Sequence, residues 1–222
     1  MLSGITQTPQ EVMPGVHHWR SFNPEVDELV SSYYVEPAAA LIDPMVPAAG
    51  LEWFDRFDVA PQQALLTSHD HWRESSRFAE AFDCVVRLHH RGLALLEEGR
   101  RAQPFNDADE VAPGVRTIEI GKMKQRPDET AFAVDAGAGA IAFGHALYRP
   151  TGGPLAFPPA AELGAHPDRV HEGLRDAFRG ILLRAFDALL FTHGEPMTNG
   201  GHAALRKFCE LPVGKPEFGD TL

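Results

Sequence analysis

The chain has 222 residues and a formal net charge of −11, with 44% hydrophobic and 23% charged residues. A chain of this length can bury a sizeable core, and the composition is ordinary for a globular protein. The excess of negative charge argues against nucleic acid or an anionic membrane surface as the main partner. No segment approaches the roughly 20 apolar residues that a membrane-spanning helix needs.

Two cysteines occur, Cys84 and Cys209, and they form no C-x-x-C motif. The N-terminal residues 1–12 lack the basic start and the apolar stretch of a secretory signal peptide. We therefore predict reduced thiols and a cytoplasmic protein. Residues 1–222 are expected to form a single domain, because no linker or sequence repeat divides the chain.

The first half of the chain predicts alternating strands and helices. Apolar or alternating stretches bounded by turn residues predict strands at 16–20, 31–35, 39–42, 63–67 and 85–88. A helix is expected to begin near Ser75, with Phe78 and Phe82 on one face, and another to cover 92–100.

The second half repeats this scheme. Strands are predicted at 115–120, 130–134 and 140–143, with a hairpin turn over 135–139 and an ordered loop or lid over 149–167. Pro167 begins the clearest helix, whose apolar stripe is Val170, Leu174, Phe178, Ile181, Leu182, Ala185 and Leu189. A strand ending at His193 and a helix capped by Asn199 complete the pattern. Two such halves predict an α/β fold in which two sheets pack face to face, with helices outside.

The most informative pattern is the run LLTSHDHWRE, residues 65–74. His69 and His71 follow a short apolar strand, and residues i and i+2 of an extended segment point to the same face. We therefore expect the two imidazoles to converge, as a divalent transition metal requires of its ligands. Two later predicted strands also end in histidine, at His145 and His193.

The order and strand context of these motifs resemble those of the metallo-β-lactamase fold superfamily. That family carries His-x-His-x-Asp-His after an apolar strand, then a lone His, a Gly-Asp and a Gly-His-Gly, each at a strand end. The resemblance covers roughly residues 14–211 and includes PGVHHW, ALIDPM and LLFTHGEPMTNGGHAALRKF. It implies a four-layered αβ/βα sandwich with the site at one edge.

The metal motif departs from the family pattern at several positions. Arg73 stands where the family has the aspartate, and Glu74 where it has the third histidine. His145 stands where the bridging aspartate belongs, and Gln125 is the nearest equivalent of the lone histidine. The resemblance therefore implies at most one metal ion, with Glu74 and Gln125 left open as further ligands. The candidate ligands are His69, His71, His145 and His193.

Arg73 is the candidate substrate-binding residue. A guanidinium about 4 Å from a divalent ion would be repelled by roughly 8 kcal/mol at an effective dielectric constant near 20. Its side chain must therefore point away, pair with Asp70 or Glu74, or fill the space of a second metal. In that space it could hold a carboxylate or phosphate bidentately. Long charged side chains mostly end in solvent, which favours a solvated position.

Two functions are compatible with these residues. The first is a metal-dependent hydrolase of a small ester, thioester or lactone, in which Zn, or alternatively Fe, Mn or Ni, polarises the carbonyl. The second is a protein of the same fold that has lost its metal and binds a ligand or partner in the old cleft. A cupin-type β-barrel also uses His-x-His, but the helices expected at 75–82 and 168–190 disfavour it. We expect a small-molecule substrate and leave a homo-oligomer open.

Overall fold

The first β-sheet follows the chain strand by strand. In the computed structural model, which describes residues 4–121 and 123–212, this sheet has seven strands in the order β1 to β7. They are β1 (Gln10–Met13), β2 (Val16–Asn23), β3 (Glu28–Val35), β4 (Ala40–Ile42), β5 (Gln63–Leu65), β6 (Val85–His89) and β7 (Gln103–Phe105). Neighbours are antiparallel from β1 to β4 and parallel from β4 to β7. Helix α1 (Ser75–Phe82) joins β5 to β6.

The second sheet has five strands in the order β12-β11-β10-β9-β8. They are β8 (Glu110–Ala112), β9 (Val115–Glu119), β10 (Thr130–Val134), β11 (Ala140–Phe143) and β12 (Ala188–Phe191). Strands β11 and β12 are parallel, because helix α2 (Pro167–Ile181) lies between them in the chain, and the other neighbours are antiparallel. Helix α3 (Gly201–Glu210) follows β12.

Three hydrophobic clusters define the layers. One lies between the sheets and joins residues of β3 and β5 to residues of β10 and β12, such as Tyr33 and Phe132. A second packs Phe78 of α1 on the outer face of the first sheet, and a third packs Phe178 of α2 on the outer face of the second. The predicted αβ/βα sandwich is therefore confirmed. None of the described helices is long and apolar enough to cross a membrane.

Two predicted helices differ from the structure. Helix α2 ends at Ile181, and Leu189 of its predicted stripe lies instead in β12, paired with Ile141 of the neighbouring strand. A strand that is buried on both faces consists of consecutive apolar residues, and such a run also fits the apolar stripe of a helix. Pairing with the neighbouring strand therefore determines that Leu189 belongs to β12. The segment 92–100 forms no α-helix, and only a 3-10 helix over His90–Leu95 is present. Residues 1–3, 122 and 213–222 of the predicted domain lie outside the described residues.

Candidate metal centre

The site lies where two pairs of parallel strands end, one pair in each sheet. Asp43 follows β4, Thr67 follows β5, His145 follows β11 and His193 follows β12. Carboxyl ends of parallel strands meet at one edge of a sheet, which is where such folds commonly place their ligands. Backbone hydrogen bonds join the two edges, since Thr130 N donates to Thr67 O at 2.8 Å. Side chains from both sheets therefore reach one another.

Three of the predicted histidines form one cluster. Nε2 of His71 lies 3.3 Å from Nε2 of His193. The ring centroid of His145 lies 4.1 Å from that of His71 and 4.9 Å from that of His193. One ring nitrogen of each residue lies within 4.8 Å of the other two, and all three side chains are buried. This spacing allows the three nitrogens to hold a single metal ion.

A carboxylate stands beside Nδ1 of each histidine in the cluster. The pairs, measured from Nδ1 to the nearest carboxylate oxygen, are His71–Asp43 at 3.0 Å, His145–Glu129 at 3.5 Å and His193–Glu28 at 3.4 Å. A partner on Nδ1 orients a ring and leaves its Nε2 for a ligand role. Asp43 orients His71 in this way through a hydrogen bond, whereas Nδ1 of His145 and Nδ1 of His193 lie beside their carboxyl groups without forming a hydrogen bond among the described residues.

Asp43 is the most firmly held of these carboxylates. Its Oδ1 accepts from Thr67 N at 2.9 Å, and its Oδ2 accepts from Thr67 Oγ1 at 2.7 Å and from Thr192 Oγ1 at 2.6 Å. Burial alone would raise the pKa of Asp43, but His71, Arg73 and the threonine hydroxyl outweigh it and hold the pKa below its usual value. Asp43 is therefore a fixed negative charge behind His71.

Burial keeps the clustered imidazoles neutral. It lowers the pKa of His71 to about 4, although Asp43 acts in the opposite direction. Burial also lowers the pKa of His145 and of His193. A metal binds only the neutral ring, so these histidines are ready to act as ligands at neutral pH.

His69 does not join the cluster, and the prediction that it converges with His71 is wrong. Strand β5 ends at Leu65, and His69–His71 forms a turn of 3-10 helix, in which residues i and i+2 diverge. Nδ1 of His69 contacts Asp128 at 2.9 Å, and Nε2 contacts Asp70 at 2.6 Å. The hydrogen bonds to these two carboxylates raise the pKa of His69 to about 9, so its ring is a cation rather than a ligand.

Arg73 is buried, and the expectation of a solvated side chain is wrong. Its Nη1 donates to Ser31 O at 2.9 Å and to Asp43 O at 2.6 Å, which ties β3 to the end of β4. Burial lowers the pKa of Arg73 to about 10, although Asp43 acts in the opposite direction, and the guanidinium remains charged at neutral pH. Its backbone has a φ of 46°, a left-handed conformation that is uncommon for such a residue.

The two further ligands left open by the sequence are placed elsewhere. Glu74 accepts hydrogen bonds from Val46 N and from Arg77 Nη1, both at 2.6 Å. Gln125 is exposed in the turn that precedes β10. Neither residue belongs to the histidine cluster.

A cavity of about 170 Å³ opens onto the histidine cluster. Its lining residues are Asn23, Val26, Val30, Asp70, His71, Arg73, Arg126, His145 and His193. Arg126 donates from Nε to Asp70 at 2.7 Å and lies 3.4 Å from Glu162. Two guanidinium groups and the histidines therefore share one small space.

Several site residues were not predicted as functional. The sequence did contain a signal for Asp43, because this residue follows β4, and β4 pairs with β5, the strand before the His-x-His run. Glu28 and Arg126 carried no local signal, since each reaches the site from a hairpin or turn distant in sequence. Tyr148 stacks on His193 with ring centroids 4.6 Å apart, a contact that only the fold creates.

Comparisons with known proteins identify the fold. No protein-family model and no curated protein sequence matches the chain. Solved structures do match. An archaeal metallo-β-lactamase superfamily protein from Sulfolobus tokodaii is 12% identical at a TM-score of 0.63, over 94% of this chain and 90% of that one. A B3 metallo-β-lactamase with an active-site glutamic acid is 12% identical at a TM-score of 0.61, over 93% and 88%.

A third structure, in a di-iron-bound form, is 20% identical at a TM-score of 0.56, over 85% of this chain and 92% of that one. At such low identities the likeness defines the fold. The chain therefore has the metallo-β-lactamase fold, and the resemblance predicted from its motifs is confirmed at that level.

Proposed function

We propose that the protein is a metal-dependent hydrolase with a single metal ion held by His71, His145 and His193. The observation that carries this proposal is the convergence of three buried imidazoles, each with a carboxylate beside its Nδ1. Three nitrogen ligands leave room in the coordination sphere for a substrate, as in catalytic rather than structural sites.

The donor set fits a divalent transition metal. Imidazole nitrogen accepts Zn, Fe, Mn or Ni, and Zn is the first candidate because it commonly binds three protein ligands of this kind. The bound ion supplies Lewis acidity toward the oxygen of a carbonyl group.

The chain's own residues would position a small substrate. A cavity of about 170 Å³ suits a small ester, thioester or lactone. Val26 and Val30 provide an apolar wall, and Arg126, which pairs with Asp70 and Glu162, contributes a guanidinium group to the lining. Asp43 holds His71 in one tautomer, because Nδ1 must donate to the carboxylate.

The alternative function is a non-catalytic protein that binds a ligand through the same cleft without a metal. The buried Arg73 and the partly buried Arg126 favour it, since guanidinium groups can bind an anionic ligand without a metal ion. Both functions use the same cavity, and they differ in whether a metal ion is bound there.

Metal analysis of protein purified without chelator tests the proposal. We expect about one equivalent of Zn, Fe, Mn or Ni in the wild type, and at least a tenfold weaker metal affinity in His71→Ala and His145→Ala. His69→Ala is expected to retain the metal, because its ring is held by Asp70 and Asp128. The exposed His166→Ala serves as the matched control.

Hydrolysis of small esters, thioesters and lactones is measured on the same samples. Activity should follow metal content and be lost on treatment with a chelator. A wild type that is folded and free of metal would refute the hydrolase and favour the ligand-binding alternative.

A further inference from the structure

We propose that Arg73 makes this cavity a site for substrates that carry a carboxylate, which the Nε and Nη2 groups of the guanidinium hold as a pair. This inference rests on the proposed function, because it names the substrate class of the same site. The substrate would be a small ester, thioester or lactone with a free carboxylate.

Arg73 stands between two cavities. It lines the 170 Å³ cavity of the histidine cluster and a neighbouring cavity of about 270 Å³, and Asn23 is the other residue that the two linings share. The second cavity is bounded by the apolar Phe22, Met45 and Val46 and by the acidic Glu25 and Glu74. A ligand group bound by Arg73 would therefore lie next to the histidines, and the rest of the ligand has space beside it.

The hydrogen bonds of the guanidinium leave one edge free. Nη1 is engaged by the carbonyl oxygens of Ser31 and Asp43. Nε and Nη2 are buried, and within residues 4–121 and 123–212 neither has a hydrogen-bond partner. Burial of charged donors without an acceptor is unfavourable. Nε–H and one N–H of Nη2 point in the same direction, which is the arrangement that receives the two oxygens of a carboxylate.

The surrounding charges favour a carboxylate over a phosphate. Asp43 and Glu28 are the carboxylates that act electrostatically on Arg73. A dianion would be repelled by these groups about twice as strongly as a monoanion, since the Coulomb energy scales with charge. Arg126 adds little compensation, because Asp70 and Glu162 already pair with it.

A purely structural role for Arg73 makes a different prediction. To tie Ser31 to Asp43 it needs only one nitrogen, and an ammonium group can donate to both carbonyl oxygens. Arg73→Lys therefore keeps that tie and removes the paired donors. Arg175→Lys is the matched control, because Arg175 is also buried and donates to a backbone carbonyl, that of Pro212, away from the site.

The experiment titrates sodium acetate and sodium phosphate, at equal ionic strength, into zinc-loaded and chelator-treated protein, with heat of binding as the readout. We expect wild type and Arg175→Lys to bind acetate more tightly than phosphate in both forms. In Arg73→Lys we expect about tenfold weaker acetate binding in the chelator-treated form, where no metal can bind the acetate. Circular dichroism confirms that each variant is folded.

Four outcomes overturn the inference: no acetate binding to the wild type, tighter binding of phosphate, equal acetate affinity in Arg73→Lys, or an equal loss in Arg175→Lys. If Arg73→Lys does not fold, the acetate and phosphate titrations of the wild type still test whether acetate binds and whether it binds more tightly than phosphate. The metal content of the same samples separates this inference from the proposed function. Acetate binding that depends on Arg73 in a protein that takes up none of Zn, Fe, Mn or Ni would refute the hydrolase and support the carboxylate site.

Discussion

At the scale of the residue, the site depends on how closely the chain segments approach one another. Gly144 immediately precedes His145, and its backbone lies against Thr67 and Glu129. Thr67 donates a hydrogen bond to Asp43, and Oε2 of Glu129 lies 3.5 Å from Nδ1 of His145. A side chain at position 144 would separate the partners on which the histidines depend.

We expect Gly144→Ala to destabilise the protein by about 1–3 kcal/mol, as overpacking of a filled interior does. An added Cβ would overlap Thr67 Oγ1 and come within 2.9 Å of Glu129 Oε1. Gly180 in α2 is the opposite case, since this position is exposed and an added Cβ would have open space around it. We expect Gly180→Ala to stabilise the protein by about 0.5–1 kcal/mol. Urea denaturation measures the free energy of unfolding of both variants. Equal stability of Gly144→Ala and the wild type would contradict the close packing around Gly144.

At the scale of the element, the turn between β7 and β8 holds a residue in an unfavourable conformation. Ala108 has a φ of 63°, which places its Cβ close to the backbone. Its side chain is exposed and offers no contact that would compensate. The turn thus stores strain at this position.

We expect Ala108→Gly to stabilise the protein by about 1 kcal/mol, because glycine adopts this conformation without the steric cost. The same chemical change in a helix, Ala81→Gly in α1, should destabilise by about 1 kcal/mol. Thermal unfolding of the two variants should therefore move the melting temperature in opposite directions. A lower melting temperature for both variants would show that the backbone entropy that glycine loses on folding outweighs the strain at position 108.

At the scale of the whole molecule, two histidines couple protonation to global stability in opposite directions. Burial, together with Arg20, lowers the pKa of His18 to about 3, whereas hydrogen bonds to Asp128 and Asp70 raise the pKa of His69 to about 9. The ordinary value for both is 6.5. Stability rises with pH wherever the unfolded chain binds more protons than the native one, and falls where the native chain binds more.

We therefore expect the stability advantage of wild type over His69→Gln to be largest below pH 6.5 and to be lost as the pH rises toward 9. The advantage of wild type over His18→Gln should instead grow as the pH rises from about 3 to 6.5. Urea denaturation of chelator-treated protein across this range measures both slopes. A pH-independent difference for His69→Gln would mean that its ring is not held as a cation.

The αβ/βα arrangement could be predicted from the sequence because its signals are local. The apolar stretches before His71, His145 and His193 specify buried strands wherever those strands pair. Parallel strands then bring their carboxyl ends to a shared edge, so the location of the site followed from the strand pattern. The end of α2 could not be predicted from local signals, since Leu189 fits a helical stripe and a buried strand equally well.

The sequence by itself determined that histidines stand at the ends of buried strands, and hence that a cluster of imidazoles was to be expected. Only the tertiary structure decided which of them join it. His69 is excluded because β5 ends four residues before it and because Asp128, which is 59 positions away in the chain, captures its ring. Such contacts depend on how two sheets meet, and no spacing within a single segment encodes them.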